Sequence, residues 1–225
     1  NELSQKILQA TIADEEELQL TEKVTTLSKQ TYVLAQQLSV NRSKEIDNIE
    51  HTINTLLKKV GMPNAVFKVS ITPTEISKSG IDKVEFLFDA NKTNQLRPIA
   101  KVASGGELSR LMLCIKSMVA NSTALPTLIF DEIDTGISGE TAKQVGNIMK
   151  QLSNKHQLIS ITHLPQIAGK ADQHLYIYKK ENEKGAINTY IKKLSTDERV
   201  DILAEMLSGK DSSQQAIEMV KELMK

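Results

Sequence analysis

The chain has 225 residues, and its 28 Lys and Arg balance 28 Asp and Glu, so it carries no overall electrostatic attraction for DNA or anionic membranes. Its one cysteine, Cys114, excludes an intramolecular disulfide, and no apolar run approaches the roughly 20 residues of a membrane-spanning helix. Aromatic residues make up 4% of the chain and Trp is absent, which argues against a platform for stacking bases.

The start, Asn1-Glu2-Leu3-Ser4, has neither an initiator Met nor a signal-peptide layout, and reads as a cut inside a longer polypeptide. No Gly or Pro occurs before Gly61. Leu20, Val24, Leu27, Thr31, Leu34 and Leu38 recur in steps of four and three, and so do Ile46, Ile49, Ile53, Leu56 and Val60, out of phase with the first set. Such spacing predicts helix with a narrow apolar seam, as in a coiled coil or a bundle helix. The phase slip at Asn41-Arg42-Ser43 predicts a stutter or a break between two helical pieces. Gly61 suits a C-cap, and Pro63 forbids continuation, so residues 1–61 form a helical segment and 62–225 a second domain.

From Val66 the period becomes two, which predicts strands at 66–71 and 84–88 with a loop through Pro73 and Gly80. Residues 91–98 are turn-like. A helix is expected at 107–120, then a short apolar strand at 127–130 covered on both faces, a helix at 139–152 and a strand at 157–161. Strands at 175–178 and 189–194 precede two helices, 197–207 and 212–224, parted by Gly209. The alternation predicts an α/β fold with a layered sheet.

Three short stretches carry chemistry. In Ser104-Gly105-Gly106-Glu107, Ser104 and Glu107 have capping-box spacing, and the glycines leave backbone N–H groups open at a helix start, where anions bind. In Thr127-Leu-Ile-Phe130-Asp131-Glu132, two acids follow an apolar strand, at the end where α/β sheets place ligands. An Asp there suits Mg²⁺, and a neighbouring Glu suits the activation of water. An EF-hand beginning at Asp131 fails, because Ile133 and Ala142 stand where ligands belong. His163 follows a third apolar run, where its imidazole suits a phosphate oxygen.

In this order the three stretches resemble the carboxy-terminal lobe of ABC-type, SMC-like ATPase heads, a P-loop NTPase fold. Val102 to Arg110, Phe130 to Gly139, Thr162 to Ala168 and the ending Glu198 to Gly209 are similar to the RecN family in particular. The resemblance is strong from about Arg97 onward and rests on coiled-coil character before it. It implies that Ser104, Gly105, Gly106 and Glu107 form the signature that meets the γ-phosphate of ATP on a second head. It implies Asp131 as the Walker B aspartate serving Mg²⁺, Glu132 as general base and His163 as the switch histidine. Thr135, Gly136, Ile137 and Ser138 fall where the D-loop lies, with Ser138 in place of a common Asp. Cys114 reads as a core residue without redox duty.

No G-x-x-x-x-G-K-[ST] occurs in these residues, so the chain alone is expected neither to hold ATP tightly nor to hydrolyse it. The resemblance implies its own amino-terminal Walker A lobe, a second head in a homodimer, and DNA as partners, with no membrane. It further implies a bacterial, cytoplasmic, nucleoid-associated protein that tethers DNA in recombinational repair of double-strand breaks. Two other readings are a transporter's nucleotide-binding subunit, which the heptad arm argues against, and a structural coiled-coil dimerisation module. Retention of Asp131, Glu132 and His163 argues against the second.

Overall fold

A computed structural model describes residues 2–101, 104–120, 126–182, 185–209 and 213–224, with side chains from residue 14 onward. The elements run α1 (Glu2–Lys59), β1 (Val66–Ser77), β2 (Gly80–Asp89), β3 (Arg97–Pro98), a 3-10 turn (Ile99–Lys101) and α2 (Gly105–Val119). There follow β4 (Thr127–Phe130), α3 (Gly139–Ser153), β5 (Gln157–Ser160), α4 (Pro165–Ala168), β6 (Leu175–Glu181), β7 (Ile187–Lys193), α5 (Thr196–Ser208) and α6 (Gln214–Leu223). In place of one layered sheet, the described strands form three small ones: β1-β2-β3, a parallel β4-β5 pair and an antiparallel β6-β7 hairpin.

Of the stutter or break expected at Asn41-Arg42-Ser43, the break does not occur, because α1 is continuous from Glu2 to Lys59. Residues 1–50 and 69–86 form one compact unit, and 51–68 with 87–225 a second. Within the first, the residues at the phase slip have another task. Ser39 Oγ and Arg42 Nη1 donate to the Asp82 carboxylate at 2.7 and 3.1 Å, and Glu50 Oε1 accepts from Val69 N at 2.8 Å. The earlier seam residues Leu20, Val24, Leu27, Leu34 and Leu38 are exposed. The loop expected through Pro73 is also absent, since β1 runs through it to Ser77 and only residues 78–79 turn. A proline is tolerated there because β1 is an edge strand, whose outer side needs no ladder donor.

In the second unit the end of α1 is held by burial of Ile53, Leu57 and Val60 with Met62 and Phe67. Leu57 is fully covered along with Val60, whereas the expected Leu56 is half-buried. Asn54 closes the arrangement by bonding both backbone groups of Phe67, donating at 3.0 Å and accepting at 2.9 Å. Gly61 ends the helix with φ at +79°, and Met62 N donates back to Leu57 O at 2.9 Å.

Strands β4 and β5 pair in parallel, with Thr127 opposite Gln157 and Phe130 opposite Ser160. A parallel pair needs a long crossover, and α3 supplies it. Leu128 and Phe130 are buried, but Ile129 is 66% exposed, so only one face of β4 is covered. Expected cover on both faces is therefore not found, because no layer of the described residues lies over Ile129, Ile159 and Ile161. Leu203 and Ala204 of α5 pack with Ala216 and Val220 of α6 and Ala168 of α4. A full capping box between Ser195 and Glu198 opens α5. Cys114 lies in the core, where burial pushes its thiol up to about 12, which leaves it unreactive.

A Cβ at Gly61 would stand 2.5 Å from Thr141 Cγ2 in a left-handed backbone. Gly61→Ala is therefore expected to cost about 1–3 kcal/mol, read as a lowered denaturation midpoint with unchanged slope.

Candidate functional site

The site begins at the amino end of α2, where Leu111, Leu113 and Cys114 bury the helix's inner face, Gly106 is buried in the first turn and Ser104 and Gly105 stay at the surface. Ser104 is extended, its Oγ accepts from Glu107 N at 3.4 Å and its carbonyl from Leu108 N at 3.0 Å. This is the first half of the expected capping box. The reciprocal bond does not accompany it among the described contacts, whereas α5 makes both. Ser104 and Gly105 are exposed, so the open amides and positive end of the helix dipole face outward.

Beside this helix start lies the turn that follows β4. Asp131 and Glu132 are both exposed, and Glu132 has φ of +57°, an uncommon conformation for a residue with a side chain. Asp131 Oδ1 accepts from Glu132 N at 3.0 Å, and the Asp131 carbonyl accepts from Ser109 Oγ at 2.9 Å. The second bond ties the strand end to α2. The glycines of α2 permit the close approach. A Cβ on Gly105 would stand 2.4 Å from Glu132 Oε2, and one on Gly106 would stand 3.0 Å from Thr135 Cβ. Thus the Glu132 carboxylate lies against the helix start that carries Ser104.

The third part is built around Asp134, which is 4% exposed. Its Oδ2 accepts from Thr162 Oγ1 at 2.6 Å and from His163 N at 2.8 Å, and lies 3.0 Å from His163 Nδ1, an ion pair when the ring is protonated. Thr162 Oγ1 in turn accepts from Leu164 N at 3.0 Å. Burial alone would raise the Asp134 carboxyl, but these donors outweigh it and hold the group below its ordinary value. Residues 135–138 leave this carboxylate through two turns, Thr135 N to Glu132 O at 3.2 Å and Ile137 N to Asp134 O at 3.3 Å. Arg110 is buried behind them and donates from Nη1 to Thr135 O at 2.6 Å.

Of the residues singled out from the sequence, Gly105 and Glu132 are brought together, and Gly106 lies against Thr135. His163 joins the same turn through Asp134, although its ring is 75% exposed. Gly136 and Ser138 are exposed, and Ser138 makes no side-chain cap bond to α3. Sequence reasoning missed Ser109, Arg110, Asp134 and Thr162. The available signal was Asp-Glu-Ile-Asp itself, since a buried Ile133 between acids places Asp134 next to the core.

The described residues include no group of three or more His, Cys, Asp or Glu able to hold a metal. A lone exposed carboxylate still fits Mg²⁺, which keeps several waters and takes its other ligands from phosphate. Asp131 fits, having one oxygen on the Glu132 amide and no protein partner for the other among the described residues.

The fold is that of the carboxy-terminal lobe of an SMC-type head. The chain aligns with the Smc head domain with a coiled coil and joint from Pyrococcus yayanosii at a TM-score of 0.51 and 22% identity, over 71% of this chain and 29% of that one. No protein-family model matches. The chain belongs to the RecN family, whose carboxy-terminal part it matches. It is 41% identical over 218 residues to DNA repair protein RecN of Rickettsia conorii, covering 97% of this chain and 39% of that protein. It is 35% identical over 224 residues to DNA repair protein RecN of Vibrio cholerae, covering 99% and 40%. It thus spans roughly two fifths of the length of the curated relatives it matches.

Because the Asp134 carboxyl is held low, its contribution to stability is complete above the ordinary carboxylate value of 3.8 and is lost as pH falls through the folded value. Asp134→Asn is therefore expected to cost about 1–3 kcal/mol near neutrality. Urea titrations should show that gap narrowing below pH 3.8.

Proposed function

We propose that residues 62–225 are the signature and Walker B lobe of a RecN-type ATPase head, and that residues 1–61 are the end of its coiled-coil arm. The carrying observation is the convergence of Glu132, the α2 start and, through Asp134, His163 on one surface. Asp131 would hold Mg²⁺, which when bound draws charge from the phosphates of ATP. Glu132 would orient and deprotonate the attacking water. His163 would face the γ-phosphate from the same head.

Ser104, Gly105, Gly106 and Glu107 would meet the γ-phosphate of ATP held by a second head, using the open amides and dipole of α2. Residues 135–138 would lie across that dimer interface. Hydrolysis then needs an amino-terminal Walker A lobe and two heads, each completing the other's site. In the whole protein this cycle would drive head dimerisation and DNA tethering during recombinational repair of double-strand breaks. The uncovered face of β4-β5, with Ile129, Ile159 and Ile161, would be where the amino-terminal lobe packs.

Two measurements test this reading. The chain alone in Mg-ATP should release phosphate no faster than its Glu132→Gln variant; turnover above that control contradicts it. With the amino-terminal lobe restored, Glu132→Gln should lower turnover by about 10²–10⁴-fold and trap an ATP-bound dimer of heads. Ser104→Arg should prevent the dimer, and a monomeric Glu132→Gln protein in saturating ATP argues against paired heads.

A further inference from the structure

Asp134 lies outside the set of groups expected to touch nucleotide, yet it makes more hydrogen bonds than any of them. Its side chain is 5% exposed, whereas that of His163 is 75% exposed. The imidazole is therefore largely in solvent, and its Nδ1 stands 3.0 Å from Asp134 Oδ2. An ionised carboxylate can only accept, and a bare Nδ1 lone pair 3.0 Å from it would be repelled, so this approach favours the hydrogen on Nδ1 whether the ring is neutral or charged. The same oxygen takes Thr162 Oγ1 and His163 N, which fixes the backbone from which the ring projects.

We propose that Asp134 is a positioning residue that holds His163 in the Nδ1–H form with Nε2 turned outward, as a carboxylate orients the imidazole in hydrolase triads and metal sites. A neutral ring held this way presents a lone pair at Nε2, and a protonated ring presents an Nε2–H donor. The Asp134 carbonyl also starts the turn into residues 135–138 by accepting from Ile137 N at 3.3 Å. One residue therefore sets both the imidazole and the segment proposed to cross the dimer interface, so displacement of that segment is passed to His163. The inference rests on the reading of His163 as a γ-phosphate contact, but the tautomer itself can be observed without nucleotide.

The test is a long-range proton–nitrogen NMR spectrum of the nitrogen-15-labelled chain, taken at a pH where His163 is neutral. The expected result is Nδ1–H for His163, in contrast to the Nε2–H form that free histidine favours. Thr162→Val should keep that tautomer, and Asp134→Asn should move His163 toward Nε2–H. A wild-type ring in the Nε2–H form, or an unchanged Nδ1–H form in Asp134→Asn, overturns the proposal.

In the full protein Asp134→Asn should lower kcat by about 10–100-fold, the usual effect of removing a histidine's outer partner, with KM little changed. Wild-type kcat in Asp134→Asn beside an impaired His163→Ala overturns the positioning role. Wild-type kcat in His163→Ala overturns instead the reading on which it rests, and leaves the NMR result standing.

Discussion

Strands β4 and β5 run side by side in the same direction, and that pairing governs what their ends can do. With Phe130 opposite Ser160, and Ile161 N donating to Phe130 O at 3.0 Å, the chain leaves both strands at the same level. Asp131 to Asp134 and Thr162 to His163 then emerge as neighbouring turns. A slip of one residue would turn Leu128 and Phe130 out of the core and carry Asp134 away from Thr162. The buried Asp134 carboxylate ties the register at that end, because Thr162 Oγ1 and His163 N of the β5 turn both donate to one oxygen of the β4 turn.

The second constraint is how closely α2 can approach that turn. Open amides are one reason for glycine at a helix start, and the spatial reason is at least as strong. At Gly106 a side chain would press on Thr135 Cβ and on the Glu132 carbonyl, 3.0 and 3.3 Å away. Ser109 and Arg110 then bond the carbonyls of Asp131 and Thr135 at 2.9 and 2.6 Å. Helix α2 and the acidic turn are thus tied together by two side-chain bonds to the turn's backbone. In the proposed paired head, this links the surface offered to a partner's nucleotide with the carboxylates that serve the chain's own.

Much of this was legible in the sequence, for local reasons. The apolar run of β4 and the Ser, Gly and Pro punctuation around α2, α3, α5 and α6 placed those elements within a few residues. Asp131, Glu132, His163 and the α2 start could be named because each follows a recognisable strand end or helix cap. What failed depended on partners far along the chain. Pro73 reads as a loop until β1 is known to be an edge strand. Arg42 reads as part of a stutter or break until Asp82 is seen to need it. Ile129 reads as buried until the face above it proves uncovered. The sequence reading gives Asp134 no role. Its role comes from Thr162, 28 residues away, and no local spacing reports that contact.

The most direct measurement is a structure of this chain together with its amino-terminal lobe, Mg²⁺ and a non-hydrolysable ATP analogue. The account predicts the terminal phosphate within hydrogen-bonding reach of His163 of one head and Ser104 of another, with Asp131 beside the metal. Nucleotide bound away from the turn after β4, or Ser104 facing no phosphate in a paired head, would contradict it.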